Sequence, residues 1–107
     1  MLDLNSEIED GVLVLHPTGR IDGATAKAYE ETLLDRIANG HTKIVMNCEA
    51  VEYVSSAGLR VLLMASRRAE KLVLCSVRDT VNDVFKFSGF AEIIPIHGDR
   101  EAAMEAF

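Results

Sequence analysis

Apolar residues follow two different periodicities along this chain. Short apolar runs, each the length of a buried strand, occur at 12–15, 43–47 and 71–75. Between them, segments 25–39 and 56–70 carry apolar residues three or four positions apart with polar residues in between, which is the spacing of an amphipathic helix. Strands that alternate with helices predict a largely parallel sheet with helices packed on it.

The two ends of the chain add further elements. The remaining predictions are a weak strand at 2–9, a short helix at 80–87, a last strand at 93–96 and a closing helix at 99–107. Gly11 predicts a turn that makes a hairpin of the first two strands, and Asp99 is a candidate cap of the last helix. The fold class is therefore predicted as α/β, a single domain over residues 1–107 with a central mixed β-sheet of four to five strands and about four α-helices.

Composition narrows the range of partners. A chain of 107 residues that is 49% hydrophobic and 26% charged has the balance of a soluble globular protein. Its formal net charge of −6 argues against nucleic acid, because phosphates would repel such a surface, so we expect a protein partner. The N-terminus is acidic and no apolar run approaches membrane-spanning length, so we expect a cytoplasmic protein with no membrane contact.

Neither cysteine indicates a metal or redox site. Cys48 and Cys75 each end an apolar run and form no Cys-x-x-Cys pair, which favours buried structural thiols. No phosphate-binding loop or dinucleotide fingerprint occurs. We expect no cofactor and no metal.

The most informative segment runs from 47 to 63, where a strand and a loop lead into Ser-Ser-Ala-Gly at the start of an apolar helix. A helix N-terminus offers free N–H groups and the positive end of the helix dipole, so it suits an anion such as a phosphate on Ser56. Serine is also among the commonest N-caps, and the local pattern alone favours capping. The residues by themselves leave both interpretations open.

This segment resembles the signature of the anti-sigma-factor antagonist branch of the STAS family, in which a loop and a hydrophobic-aromatic-hydrophobic step precede Asp-Ser-Ser-Gly-Leu at a helix start. Residues 51–54 are similar to the step, Ser56 falls on the phosphoacceptor serine of the family, and Gly58 on its glycine. Residues 19–22, Gly-Arg-Ile-Asp, are similar to the Gly-x-Leu-Asp of the family. The order and lengths of the predicted elements agree as well.

Three positions depart from the pattern. Asn47 stands where many members carry aspartate, Ser55 replaces the aspartate before the acceptor, and Ala57 replaces the next serine or threonine. Ser55 is thus a second hydroxyl beside the first, and it is the alternative phosphorylation site to Ser56.

The resemblance implies a binding protein and no enzyme, with no catalytic residues. In its unphosphorylated form the chain would bind an anti-sigma factor that is also a serine kinase and so release a sigma factor. Phosphorylation of Ser56 would end the interaction, and a metal-dependent serine phosphatase would restore it. The implied partner-binding residues are Asp22, Ser55, Ser56 and Gly58. From the sequence, Asp22 is equally a helix N-cap.

Other functions have weaker support. A STAS scaffold or regulatory subunit of a signalling assembly is the main alternative, and size-exclusion chromatography separates it from a small antagonist. An esterase would need a Gly-x-Ser-x-Gly elbow, but Val54 stands in place of the first glycine. A receiver domain would need an aspartate where Asn47 ends a strand. Three phenylalanines, Phe85, Phe87 and Phe90, are expected in the core, with allowance for one exposed.

Overall fold

The computed structural model describes residues 4–107, which form seven strands and four α-helices. In chain order the strands are β1 (Asn5–Glu9), β2 (Val12–His16), β3 (Gly19–Ile21), β4 (Lys43–Asn47), β5 (Val51–Val54), β6 (Lys71–Cys75) and β7 (Ile96–His97). The helices are α1 (Ala26–Ala38), α2 (Ser56–Arg68), α3 (Asp79–Phe87) and α4 (Arg100–Met104). Five strands form the main sheet in the order β1-β2-β4-β6-β7, antiparallel between β1 and β2 and parallel elsewhere. The predicted α/β class is confirmed.

The three central strands are buried on both faces. In β4, Ile44 and Met46 belong to a large core cluster that also takes in residues of α1, α2 and α3, whereas Val45 points into a smaller cluster with Ala103 of α4. Strands β2 and β6 alternate in the same way. Burial on both faces explains why these strands are continuous apolar runs rather than alternating ones.

The predicted hairpin joins β1 to β2. Asp10 and Gly11 both have positive φ, 50° and 79°, which is the backbone of a tight two-residue hairpin turn. All five residues of β1 are exposed. Salt bridges connect β1 to α4: Arg100 binds Glu7 and Glu9, the latter at 2.7 Å. The part of the predicted first strand before residue 4 lies outside the described residues.

The segment at 51–54 was expected to be a loop, and that expectation was wrong. It forms β5, which pairs in parallel with β3 in a separate two-stranded sheet. In β5 the end residues Val51 and Val54 are buried and the two between them are exposed. A strand of three or four residues gains its hydrogen bonds only from a partner distant in sequence, so local pattern did not reveal it.

The C-terminal third differs from prediction in its boundaries. The last strand begins at Ile96, because the chain first forms a short 3-10 helix at Phe90–Glu92 and a turn at Ile93, with Ile94 buried in the core. The closing helix ends at Met104, and its predicted cap is confirmed: the Asp99 carboxylate accepts from the Ala102 N–H at 2.8 Å.

Two of the three phenylalanines expected in the core are buried, and one is exposed, as the prediction allowed. Phe85 and Phe90 are buried with their rings stacked at 5.0 Å between centroids, whereas Phe87 is 91% exposed.

Candidate functional site

The two-stranded sheet brings the candidate residues together. Because β3 and β5 are parallel, their carboxyl ends meet at one edge, and the Ser55 N–H continues the pairing by donating to the Ile21 carbonyl at 2.9 Å. Asp22 follows Ile21 directly, and Ser56 follows Ser55. Asp22 and Ser56, which are 34 positions apart in sequence, thereby lie at the same sheet edge.

Gly58 makes this close approach possible. It is buried in the first turn of α2, where a Cβ atom would lie 2.5 Å from the Ile21 carbonyl oxygen and 2.9 Å from the Ile21 side chain. Neither distance is tolerable for a methyl group, so only glycine lets α2 start this close to β3. Gly58 therefore contributes packing beneath the site rather than exposed surface.

The two serines have different environments. Ser55 is the N-cap of α2: its backbone is extended, its hydroxyl accepts from the Gly58 N–H at 3.3 Å, and it is half-buried. Ser56 is the first helical residue and is exposed, and its hydroxyl has no hydrogen-bond partner within residues 4–107. Capping thus occupies Ser55 and leaves the Ser56 hydroxyl free.

Asp22 is fixed by its own loop. One carboxylate oxygen accepts from Arg20 Nε at 3.0 Å and the other accepts from the Ala24 N–H at 3.0 Å. The N-cap of α1 is Thr25, so Asp22 stabilises the turn before the helix and does not cap the helix itself. The hydrogen bond from Arg20, above all, holds the pKa of Asp22 below its usual value, so the carboxylate is ionised at neutral pH.

Arg20 and Tyr53 are two further surface residues that sequence reasoning did not single out. They face each other as register partners across β3 and β5, and the Arg20 guanidinium lies 4.3 Å from the centre of the Tyr53 ring. The signal was present in residues 19–22 and 51–54, but only the pairing of the two strands brings them together. We refer to Arg20, Asp22, Tyr53 and Ser56 as the β3–β5 face.

Comparison with known proteins assigns the family. The sequence model of the STAS domain family matches residues 3–103 of this chain. The chain belongs to the STAS family. Among its STAS relatives, BtrV of Bordetella bronchiseptica, named as a candidate anti-sigma factor antagonist, is 36% identical over 102 residues, which cover 92% of this chain and 88% of BtrV.

Solved STAS structures have the same fold. An anti-sigma factor antagonist candidate from Thermotoga maritima superposes with a TM-score of 0.91 at 22% identity, covering 96% of this chain and 92% of that one. The phosphorylated form of SpoIIAA from Bacillus superposes with a TM-score of 0.71 at 22% identity, covering 97% of this chain and 98% of that one.

The three histidines of this STAS domain lie outside the β3–β5 face. His16 lies at the end of β2 and bonds Glu7 at 3.0 Å, His41 lies in the loop before β4, and His97 lies in β7. Within residues 4–107 no group of three or more His, Cys, Asp or Glu side chains is placed to hold a metal ion. No helix in the described part of the chain has the length and apolar character needed to cross a membrane.

Both cysteine thiols of the STAS domain are buried, on opposite faces of the main sheet. Cys48 lies in the large core cluster and Cys75 in the small one. Burial, and secondarily the neighbouring Cys75, raises the pKa of Cys48 to about 12, and burial also raises the pKa of Cys75.

We expect these thiols to resist alkylation in the folded protein. At about pH 8 only roughly one Cys48 in ten thousand would be a thiolate, and neither sulfur is accessible. Labelling followed by mass spectrometry should be at least about 100-fold slower in buffer than in concentrated guanidinium chloride. Rapid labelling of both thiols under native conditions would contradict this packing.

Proposed function

We propose that this chain is an anti-sigma factor antagonist that binds, in its unphosphorylated form, an anti-sigma factor with serine kinase activity. Binding displaces a sigma factor and lets transcription proceed. Phosphorylation of Ser56 by the bound kinase ends the interaction, and a metal-dependent serine phosphatase restores it. The whole of residues 1–107 acts as one STAS domain in this cycle.

The observation that carries the proposal is the exposed Ser56 hydroxyl at the start of α2, at the sheet edge where the Asp22 carboxylate is held by Arg20 and Ala24. The Ser55 hydroxyl is already occupied as the cap of α2, so Ser55 is a poorer phosphorylation site than Ser56. On the β3–β5 face, hydrogen bonds at both oxygens hold the Asp22 carboxylate, and Arg20 stacks on Tyr53 before any partner binds. Side chains held in this way lose little conformational entropy when a partner binds.

The modification is the transfer of a phosphoryl group from ATP to the Ser56 hydroxyl. The Ser56 oxygen forms a bond to the γ-phosphorus of ATP, the bond from that phosphorus to the β–γ bridging oxygen breaks, and ADP leaves. The hydroxyl proton passes to a base of the kinase. Dephosphorylation transfers the phosphoryl group to water and regenerates the hydroxyl.

The relatives support this assignment. BtrV is named as a candidate anti-sigma factor antagonist and resembles this chain over most of its length. SpoIIAA, which has the same fold, is known in a phosphorylated form. A negative net charge and an arginine-tyrosine pair on the β3–β5 face are also compatible with a protein partner.

A charge reversal tests the binding surface. Asp22→Lys places a cation beside Arg20 and removes both hydrogen bonds of the carboxylate, so we expect affinity for the kinase to fall by about 10- to 100-fold. The partner used is the kinase that the wild-type protein captures from native lysate and that Ser56→Asp fails to capture. The purified kinase is titrated with each variant, and calorimetry gives the affinity.

The matched control is Glu31→Lys, which makes the same charge change on an exposed position of α1. It should bind as the wild type does. Unchanged affinity for Asp22→Lys, in a variant that melts as a folded protein, would show that the partner uses another surface.

A further inference from the structure

We propose that Arg60 binds a phosphate carried by Ser56, so that the modified chain holds its own phosphoryl group in a salt bridge along α2. This inference rests on the proposed function, because it concerns the phosphorylated form of Ser56.

The helix geometry places the two side chains together. Ser56 is the first residue of α2 and Arg60 lies one turn later, and both are exposed. Residues four apart on a helix lie on one face with their Cβ atoms about 5–6 Å apart. Helical side chains also lean toward the N-terminus, so the long arginine stem extends back toward Ser56.

Arg60 is a basic side chain near the N-terminal end of α2 that is free to pair with a phosphate. Within residues 4–107 it makes no salt bridge and no side-chain hydrogen bond, whereas Arg20 is already bonded to Asp22 and stacked on Tyr53. The adjoining elements add the carboxylates of Asp22, which is paired, and of Glu52 in β5. A phosphate on Ser56 therefore has one unpaired guanidinium, that of Arg60, within one helical turn of it on α2.

The chemistry of the pair favours capture. Phosphoserine carries about −1.5 to −2 charges near neutral pH, and a guanidinium presents a planar fork of N–H donors that matches two phosphate oxygens. The pair would offset much of the repulsion between the phosphate and Asp22. A partner approaching the β3–β5 face would then meet a phosphate fixed against α2 rather than a mobile one.

The test uses phosphoserine incorporated at residue 56 by genetic encoding, without the kinase, so a failure of the proposed function leaves it intact. Phosphorus NMR follows the second ionisation of the phosphate, which lies near pH 6 in a free phosphoserine. We expect it to occur at a pH about 0.5 lower in the otherwise wild-type chain than in Arg60→Gln, because the guanidinium favours the dianion.

The matched control is Arg67→Gln, which removes the same charge from the same helix at a position about 16 Å from Ser56 along the helix axis. It should titrate like the wild type, and Arg60→Lys should fall between the wild type and Arg60→Gln. Equal titration of wild type and Arg60→Gln would overturn the inference. An equal shift in Arg67→Gln would overturn it too, since that result indicates a long-range effect of net charge.

Discussion

Phosphorylation of Ser56 is expected to lower affinity for the anti-sigma kinase by about a thousandfold while leaving the domain folded. The modification places a dianion beside the ionised Asp22, on a surface that in the unmodified chain presents a neutral hydroxyl. Desolvating that charge in an interface shaped for a hydroxyl costs several kcal/mol, and about 4 kcal/mol is already a thousandfold. The fold is spared because Ser56 is exposed and its phosphate meets N–H donors of the first helical turn.

Mapping of the phosphate by mass spectrometry and a calorimetric titration of the phosphoprotein with the kinase check this result. After incubation with kinase and ATP, mass spectrometry should place the phosphate on residue 56 in the wild type and in Ser55→Ala, and no phosphate should appear in Ser56→Ala. Ser55→Ala should also unfold more easily by about 1 kcal/mol, because it loses the cap of α2. Phosphate on Ser55 alone, or a phosphoprotein that binds as tightly as before, would refute the assignment.

Gly58→Ala should be the most damaging single-methyl substitution near the site. Alanine normally stabilises a helix by about 1 kcal/mol over glycine, but here the added Cβ meets the Ile21 carbonyl oxygen at 2.5 Å. Moving α2 off β3 costs more than the helix gains, and we expect a net loss of about 2 kcal/mol in the free energy of unfolding. In a domain of this size that lowers the melting temperature by about 8–15 °C.

The control for this substitution is Gly98→Ala, where no atom lies within 4 Å of the added Cβ and φ is not positive. It should change the free energy of unfolding by less than about 0.5 kcal/mol. Gly58→Ala should also weaken kinase binding beyond its effect on folding, because it disturbs the hydrogen bond from Ser55 to Ile21. A Gly58→Ala protein that melts with the wild type would show that α2 tolerates the shift.

Sequence reasoning succeeded where one local pattern had one structural solution. The run at 43–47 is apolar on both faces and is a central strand, and Asp99 stands before a short helix and caps it. It failed at β5, because these four residues form a strand only by pairing with β3, from which residues 22–50 separate them.

The sequence predicted which residues belong to the candidate site but not what each of them does there. Ser55 and Ser56 are identical side chains in adjacent positions, and only the extended backbone of Ser55, with ψ of 175°, shows which hydroxyl turns back to cap the helix. Likewise, Gly58 was expected in the contact surface because of the family pattern, whereas its distance to Ile21 shows a packing role. Such distinctions depend on backbone angles and distances that the order of residues does not express.

The two-stranded sheet shares no strand pairing with the five strands of the main sheet. Exposed positions on it, such as Arg20, Glu52 and Tyr53, can therefore change without altering the main hydrogen-bonded ladder, provided that the buried Ile21, Val54 and Gly58 are kept. Under the proposed function, where a genome carries several such domains, we expect these outward positions to differ between copies with different kinase partners and the buried ones to be kept.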